Sequence, residues 1–362
     1  MAAKPVDVWK FGGSSFATTA AYRHVAQAIA RQVHQGHRVC LVVSAMSGTT
    51  GRLSEMLHDI APGASAEDRD AVLGTGEILA AALVRAALRD AGVPATSLNA
   101  FQLGWRAGGD FADGRLDDLP PDAIHAAFET AAAVVISGGQ ALSGDRLMML
   151  GRNSSDLSAI AAAKILGVDE VTIFSDVEGV CTADPYFIDS AAMISRLSYR
   201  HARLFAQAGA KILHERCIAL AAENHIRIQC ASLRADGTIC RGTVVGQDGE
   251  GIQVCVPKDV RIMHIPQATG IAHPTGAIAP IRDHHGLFVV CPGAPPLPGD
   301  ATPHVAGAPQ SAVITIDRDG SVTGRICAPS VVQHEARHLH DTLLNGIGQD
   351  PNLTPLQRMP QK

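Results

Sequence analysis

The sequence predicts an α/β fold, a three-layer αβα sandwich around a mainly parallel sheet, with a smaller α+β region behind it. Three observations point there. Through residue 245, short apolar runs alternate with helix-patterned stretches, and continuous apolar runs of strand length mark strands buried on both faces. Several of these runs end in loops of Gly and Ser, where parallel sheets place their ligands. From Gly246 onward strands are short and Pro and Gly are dense, with four prolines between Pro292 and Pro298.

The elements follow in order. Val6 to Phe11 reads as an apolar strand, Ala20 to Gln35 as an amphipathic helix, and Arg38 to Ala45 as a β-branched strand. An Ala/Leu-rich helix is expected from Glu77 to Ala91, opening after Gly74-Thr75-Gly76. Ala132 to Ser137, Glu170 to Ser175 and Arg227 to Ala231 add buried strands, and Ser155 to Leu166 and Tyr199 to Asn224 add helices. In the tail one helix stands out, Pro329 to Asn345, with Pro in its first turn and Gly346 past its end.

Length and composition bound the function. With 362 residues, 46% of them hydrophobic, the chain can bury two domains, expected at 1–245 and 246–362. A net charge of −5 without a basic run excludes a nucleic-acid footprint and leaves small molecules as the expected partners. The N-terminus lacks a signal-like apolar stretch, and no segment reads as the roughly 18 apolar residues of a membrane span, so a cytoplasmic protein is expected. Eight cysteines without a CxxC pair read as buried thiols. Eight of the sixteen histidines lie from His264 onward, which sets the last third apart.

Two segments read as a strand running into a small-residue loop that opens a helix, a device whose backbone N–H groups suit phosphate: Lys10-Phe11-Gly12-Gly13-Ser14-Ser15 and Gly151-Arg152-Asn153-Ser154-Ser155-Asp156. Lys10 offers a point charge to phosphate oxygens, and Arg152 a fork that matches a carboxylate. Ser44 to Thr50 supplies hydroxyls, Glu77 a carboxylate that either caps its helix or binds an amine, and Asp156 a charge at a helix start. Ser175 to Pro185 is a strand breaking into an acidic turn suited to ribose hydroxyls or Mg2+.

With these motifs the region from 6 to 245 resembles the catalytic domain of aspartate kinases, in the amino-acid kinase family. The likeness rests on KFGGSS (10–15), VVSAMSGTT (42–50), GTGEILAAAL (74–83), LGRNSSD (150–156), FSDVEGVCTADP (174–185) and AGAKILH (208–214). It implies the amino-acid kinase fold, ATP and Mg2+, and phosphorylation of the side-chain carboxylate of aspartate or a related amino acid to an acyl phosphate. It also implies roles. Lys10 and Lys211 neutralise the transferring phosphoryl group and Asp156 orients the lysines; Ser44, Thr50, Glu77, Arg152 and Ser155 hold the amino acid. Gly12, Gly13, Ser14, Ser175, Asp176, Cys181, Asp184 and Tyr186, with Lys10 and Lys211, hold the nucleotide. A homo-oligomer is compatible with the family.

The sequence departs from the family pattern inside the site. Asn153-Ser154 stands for two glycines, Cys181 and Tyr186 for a Tyr and an Arg, and Glu215 for a Pro. A shifted substrate, or a homologue that binds without catalysis, is the alternative. The tail shows no pattern of the regulatory ACT domains. It carries His334-Glu335-Ala336-Arg337-His338, an HExxH whose histidines share one helical face and can chelate a divalent ion. Together with 312–320 this stretch resembles the end of a peptide deformylase. That resemblance implies Zn2+ or Fe2+ on His334, His338 and Cys291, and a metal-dependent hydrolase fused to the kinase.

Overall fold

The structure, a computed structural model, describes residues 4–151, 154–210, 213–257, 260–265, 281–283, 286–292, 311–347 and 350–356. By their contacts they form two compact units, Met1–Glu178 with Arg216–Val244 and Gly179–Glu215 with Val245–Lys362.

In the first unit the strands are β1 (Val6–Phe11), β2 (Arg38–Val43), β3 (Ala95–Leu98), β4 (Ala133–Ser137), β5 (Glu170–Phe174), β6 (Arg227–Leu233) and β7 (Ile239–Gly246). Their order is β7-β6-β5-β1-β2-β4-β3, and every neighbouring pair from β6 to β3 is parallel. Alternation sorts the residues onto two faces. Trp9, Phe11, Val39, Leu41, Val43 and Val135 pack with the helices α1 (Thr19–His34) and α3 (Ala66–Asp90) through Tyr22, Val25, Ile29, Ala80, Val84 and Leu88. The other helices that follow the Gly/Ser loops are α2 (Thr49–Ile60) and α4 (Ser155–Leu166), and α4 lies against β1, β2 and β5 with Ser155 through Ala163 all buried. The order passes from β1 to β2 on one side and to β5 on the other. The carboxyl end of β1 is therefore the switch point at which such sheets bind ligands.

Two helices differ from expectation. α3 begins at Ala66, not Glu77, on a capping box formed by Ser65 and Asp68, so Gly74 and Gly76 are helical. They serve close packing rather than a turn: a Cβ at Gly74 would stand 2.5 Å from Leu147 Cδ2, and one at Gly76 3.0 Å from Ala45 Cβ. The expected helix from 199 to 224 is two, Tyr199–Gln207 and Glu215–Glu223, separated after Gly209, whose φ of +92° ends helical geometry. α3 is also long and apolar enough to cross a membrane by length and composition, contrary to the sequence reading. In this fold it carries core residues and a buried carboxylate, Asp70, which accepts hydrogen bonds of 2.8 Å from both Ala112 N and Met149 N. Those bonds tie α3 to a four-stranded sheet of Arg115–Asp118, Arg106–Gly108, Gln140–Ser143 and Arg146–Met149.

The second unit is a small α+β extension. Strands Gln253–Cys255, Ser311–Ile316 and Val322–Cys327 form an antiparallel sheet beside the helix Val332–Ile347. Its core joins Val254, Val313 and Ala336 to Ala183, Ile188 and Ala191, residues of the segment that precedes residue 245 in the sequence.

Candidate active site

Lys10, next to last in β1, pairs in register with Val42 on one side and Ile173 on the other, and Ile173 pairs with Cys230. Residues so paired share a face, so Lys10 is the single charge in an apolar row under α4. Its ammonium is satisfied by Asp156, with Nζ to Oδ1 at 2.5 Å and the two side chains only 11% and 7% exposed. Asp156 is the second residue of α4, where the helix dipole favours an anion. Cys217 and Cys230 are buried near this pair, and burial pushes both thiols up, Cys230 to about 12, so they are neutral neighbours.

The loop after β1 is shaped by two glycines. A Cβ at Gly12 would stand 3.4 Å from Lys10 Nζ, and one at Gly13 2.8 Å from Ala45 O, so glycine keeps the lysine's flank open and seats this loop on the loop after β2. From that second loop Ser44 Oγ lies 2.7 Å from Ser155 Oγ. Ala45 N donates to Glu77 Oε1 at 3.3 Å. Glu77 Oε2 is out of reach of solvent and has no hydrogen-bond partner among the described residues. Burial raises the Glu77 pKa, with the Ala45 N–H opposing. Ser14 and Thr50 are exposed at the rim.

One arrangement thus joins Lys10, Gly12, Gly13, Ser44, Glu77, Ser155 and Asp156. Arg152 and Lys211 lie outside the described residues. Ser154, which stands where the family has glycine, has φ −80° and ψ 0°, a conformation any residue adopts, and its hydroxyl donates to Gly151 O at 2.7 Å. The substitution costs no backbone strain. A further loop belongs here that the sequence reading did not single out. Gly138 and Gly139 follow β4; a Cβ at Gly138 would stand 2.6 Å from Ser155 Cβ, and Gly139 N donates to Ser158 Oγ at 2.9 Å. The signal was present, since Ile136-Ser137-Gly138-Gly139 repeats the pattern of an apolar strand ending in two glycines.

The acidic turn divides between the units. Ser175 and Asp176 belong to the first, and Ser175 Oγ donates to Val177 O at 2.7 Å. Cys181, Asp184 and Tyr186 belong to the second. Cys181 is buried, its thiol raised to about 11 by burial and by the neighbouring Asp184; Asp184 accepts from Tyr186 N at 2.9 Å, and Tyr186 is exposed.

Among the described residues the tail motif gathers no metal site. His334 and His338 are exposed on the helix Val332–Ile347, and Glu335 is engaged by Arg325 at 3.0 Å. Among the described residues no group of three His, Cys, Asp or Glu side chains could hold a metal. Cys291 lies on the strand Gly286–Pro292, and its side chain is outside the described residues. The described residues thus assemble no donor set for Zn2+ or Fe2+, and the likeness to a deformylase finds no support in the fold.

The sequence profile of the amino acid kinase family matches residues 6–232. The chain belongs to the amino acid kinase family. Within it, the chain is similar to the aspartokinase of Mycobacterium tuberculosis, 32% identical over 298 residues, which are 81% of this chain and 65% of that protein. It is also 32% identical to the aspartokinase of Thermus thermophilus over 272 residues, 73% of this chain and 67% of that protein. The chain thus spans about two thirds of the length of these relatives. An alignment over 81% of the chain must run past residue 245, so the likeness to aspartokinases continues into the tail. In fold, this family member is similar to E. coli aspartokinase III in complex with aspartate and ADP, with a TM-score of 0.69 at 18% identity, covering 94% of this chain and 100% of that one. The aspartate kinase from Synechocystis gives 0.57 at 22% identity, covering 98% and 71%.

Proposed function

We propose that this protein transfers the γ-phosphoryl group of ATP to the side-chain carboxylate of aspartate or a closely related amino acid, giving an acyl phosphate. One observation carries the reading: a buried ammonium paired with Asp156, and a buried carboxylate oxygen with no hydrogen-bond partner among the described residues, belong to adjoining loops at the carboxyl ends of β1 and β2. Glu77 Oε2 suits the substrate's ammonium, which would supply a counter-charge. Lys10, with its flank open at Gly12, suits the transferring phosphate oxygens. Ser44, Thr50 and Ser155 would complete the amino-acid side of the site, with Arg152 on a carboxylate.

In this reading the substrate carboxylate is already a nucleophile. Its oxygen bonds to the γ-phosphorus as the bond to the ADP oxygen breaks, and no general base is required. Catalysis is positioning plus neutralisation of charge, by Lys10 held on Asp156 and by Lys211. Gly12, Gly13, Ser14, Ser175, Asp176, Cys181, Asp184 and Tyr186 would receive the nucleotide. Mg2+ enters with the phosphates, where one or two carboxylates and water suffice, so it needs no cage of protein ligands. The aspartate and ADP named for the E. coli structure, and the aspartokinase relatives, support aspartate as the first substrate to test. Among the described residues seven of the eight cysteines are free thiols, which suits a reducing setting.

The test is an ATP-dependent assay in which hydroxylamine traps the acyl phosphate as a hydroxamate, run across amino acids and simple carboxylates. Product with aspartate and little with carboxylates that lack the amine is expected. Equal turnover of acetate, or none with any amino acid, would overturn the proposal.

A further inference from the structure

The third histidine of the tail helix, two residues beyond the HExxH, is the one the fold uses. His340 is fully buried, with Nε2 2.8 Å from Thr182 Oγ1 and Nδ1 3.2 Å from Ser190 Oγ. The proton positions follow from the partners. Ser190 Oγ donates to Asp341 Oδ1 at 2.8 Å, so toward His340 it accepts, and Nδ1 carries the imidazole proton. Thr182 Oγ1 accepts from Ala192 N at 3.0 Å, which leaves its own proton for Nε2. One neutral tautomer satisfies every group, and burial holds the imidazole pKa down despite Asp341.

Thr182 is buried too, its N donating to Ala192 O and its O accepting from Val254 N, both at 2.8 Å. It sits between Cys181 and Ala183, two residues from Asp184, inside the turn given above to the nucleotide. Gln253 Nε2 donates to Cys181 O at 3.2 Å, and Gln333 Nε2 to Phe187 O at 3.1 Å. The turn is thus built into the C-terminal unit, and His340 makes a side-chain hydrogen bond from the tail helix into it.

We propose that His340 is a positioning residue for nucleotide binding: by fixing Thr182 it holds the turn 181–186 in the shape that receives the nucleotide, so the tail helix sets nucleotide affinity. This inference rests on the reading that the turn binds nucleotide. A histidine that only filled the tail core would affect stability and leave affinity alone.

The experiment measures ADP affinity of the full chain by calorimetric titration, with KM for each substrate, kcat and thermal unfolding recorded in parallel. His340→Leu and Thr182→Val should each weaken ADP binding on the order of 10-fold and raise KM for ATP, with kcat and KM for the amino acid within about 2-fold. The double variant should be no worse than either single, since both act through one bond. His340→Gln keeps an acceptor near the Nε2 position and Thr182→Ser keeps the hydroxyl; both should recover affinity, and they serve if the harsher variants do not fold. Unchanged ADP affinity in His340→Leu and Thr182→Val, beside a loss in Asp184→Ala, overturns the inference alone, as does failure of both conservative variants to recover it. Unchanged affinity in Asp184→Ala as well overturns the placement of nucleotide on the turn, and the inference with it.

Discussion

Lys10 Nζ lies 2.5 Å from Asp156 Oδ1 in a nearly solvent-free pair that joins the central strand β1 to the first turn of α4. Taking two charges out of water is costly, and removing one partner strands the other. Lys10→Met and Asp156→Leu should each cost about 3–5 kcal/mol, whereas the double variant should recover much of that, apolar groups having replaced both charges. Lys10→Met should also lower kcat by on the order of 100-fold or more, and the double variant should stay inactive despite its stability. Denaturant unfolding and hydroxamate formation check both claims. A double variant as unstable as the sum of the singles would show that the pair is not coupled, and near-normal turnover in Lys10→Met would remove it from the mechanism.

Glu77 predicts a pH dependence. Burial raises its folded pKa above the unfolded value of about 4.3. Between those values the unfolded chain binds fewer protons than the folded one. Stability associated with Glu77 is therefore full below the unfolded pKa and lost as pH rises through the folded one. An ammonium beside Oε2 favours the ionised form, so amino-acid binding should release a proton and tighten as pH rises to the folded value. Glu77→Gln should raise stability at neutral pH, weaken the amino acid and leave ADP affinity unchanged. Calorimetry in buffers of different ionisation enthalpy reads the proton; no release anywhere in that window would place the ammonium elsewhere.

Glycine positions separate packing from flexibility. A Cβ at Gly13 would strike the Ala45 carbonyl, whereas one at Gly51, in α2, would meet nothing within 4 Å. Gly13→Ala should cost about 1–3 kcal/mol and reduce turnover, because the two loops that frame Lys10 must part. Gly51→Ala should stabilise by about 0.5–1 kcal/mol, as helical alanine replaces glycine. Thermal unfolding of the two variants tests the ranking, and equal effects would refute it.

Within the tail helix, three histidines should behave differently. His334→Ala and His338→Ala replace exposed side chains and should change stability by no more than about 0.5 kcal/mol, with chelator leaving the melting temperature unaltered. His340→Leu removes a buried, doubly hydrogen-bonded ring and should be clearly destabilising. A chelator-sensitive melting temperature that disappears in His334→Ala would restore the metal reading.

The sequence by itself determined the parallel α/β core and the strand ends at which the site is proposed. Apolar runs such as Arg38–Val43 have the length and β-branched content of buried strands, and Lys10 before Gly12-Gly13 marks a loop that either turns tightly or accepts an anion. Local pattern could not assign what depends on a distant neighbour. Gly74 and Gly76 read as the lead-in to a helix at Glu77, yet they lie inside α3, where glycine lets Leu147 and Ala45 approach closely. His334 and His338 carried a metal motif by spacing alone, but spacing sets only which helical face they share, and that face is exposed. Asp70, Thr182 and His340 had no local signal at all. Asp70 meets Ala112 42 residues away and Thr182 meets His340 158 residues away, and only tertiary packing, which removes water and leaves a buried polar group to find its complement, decided what each of them does.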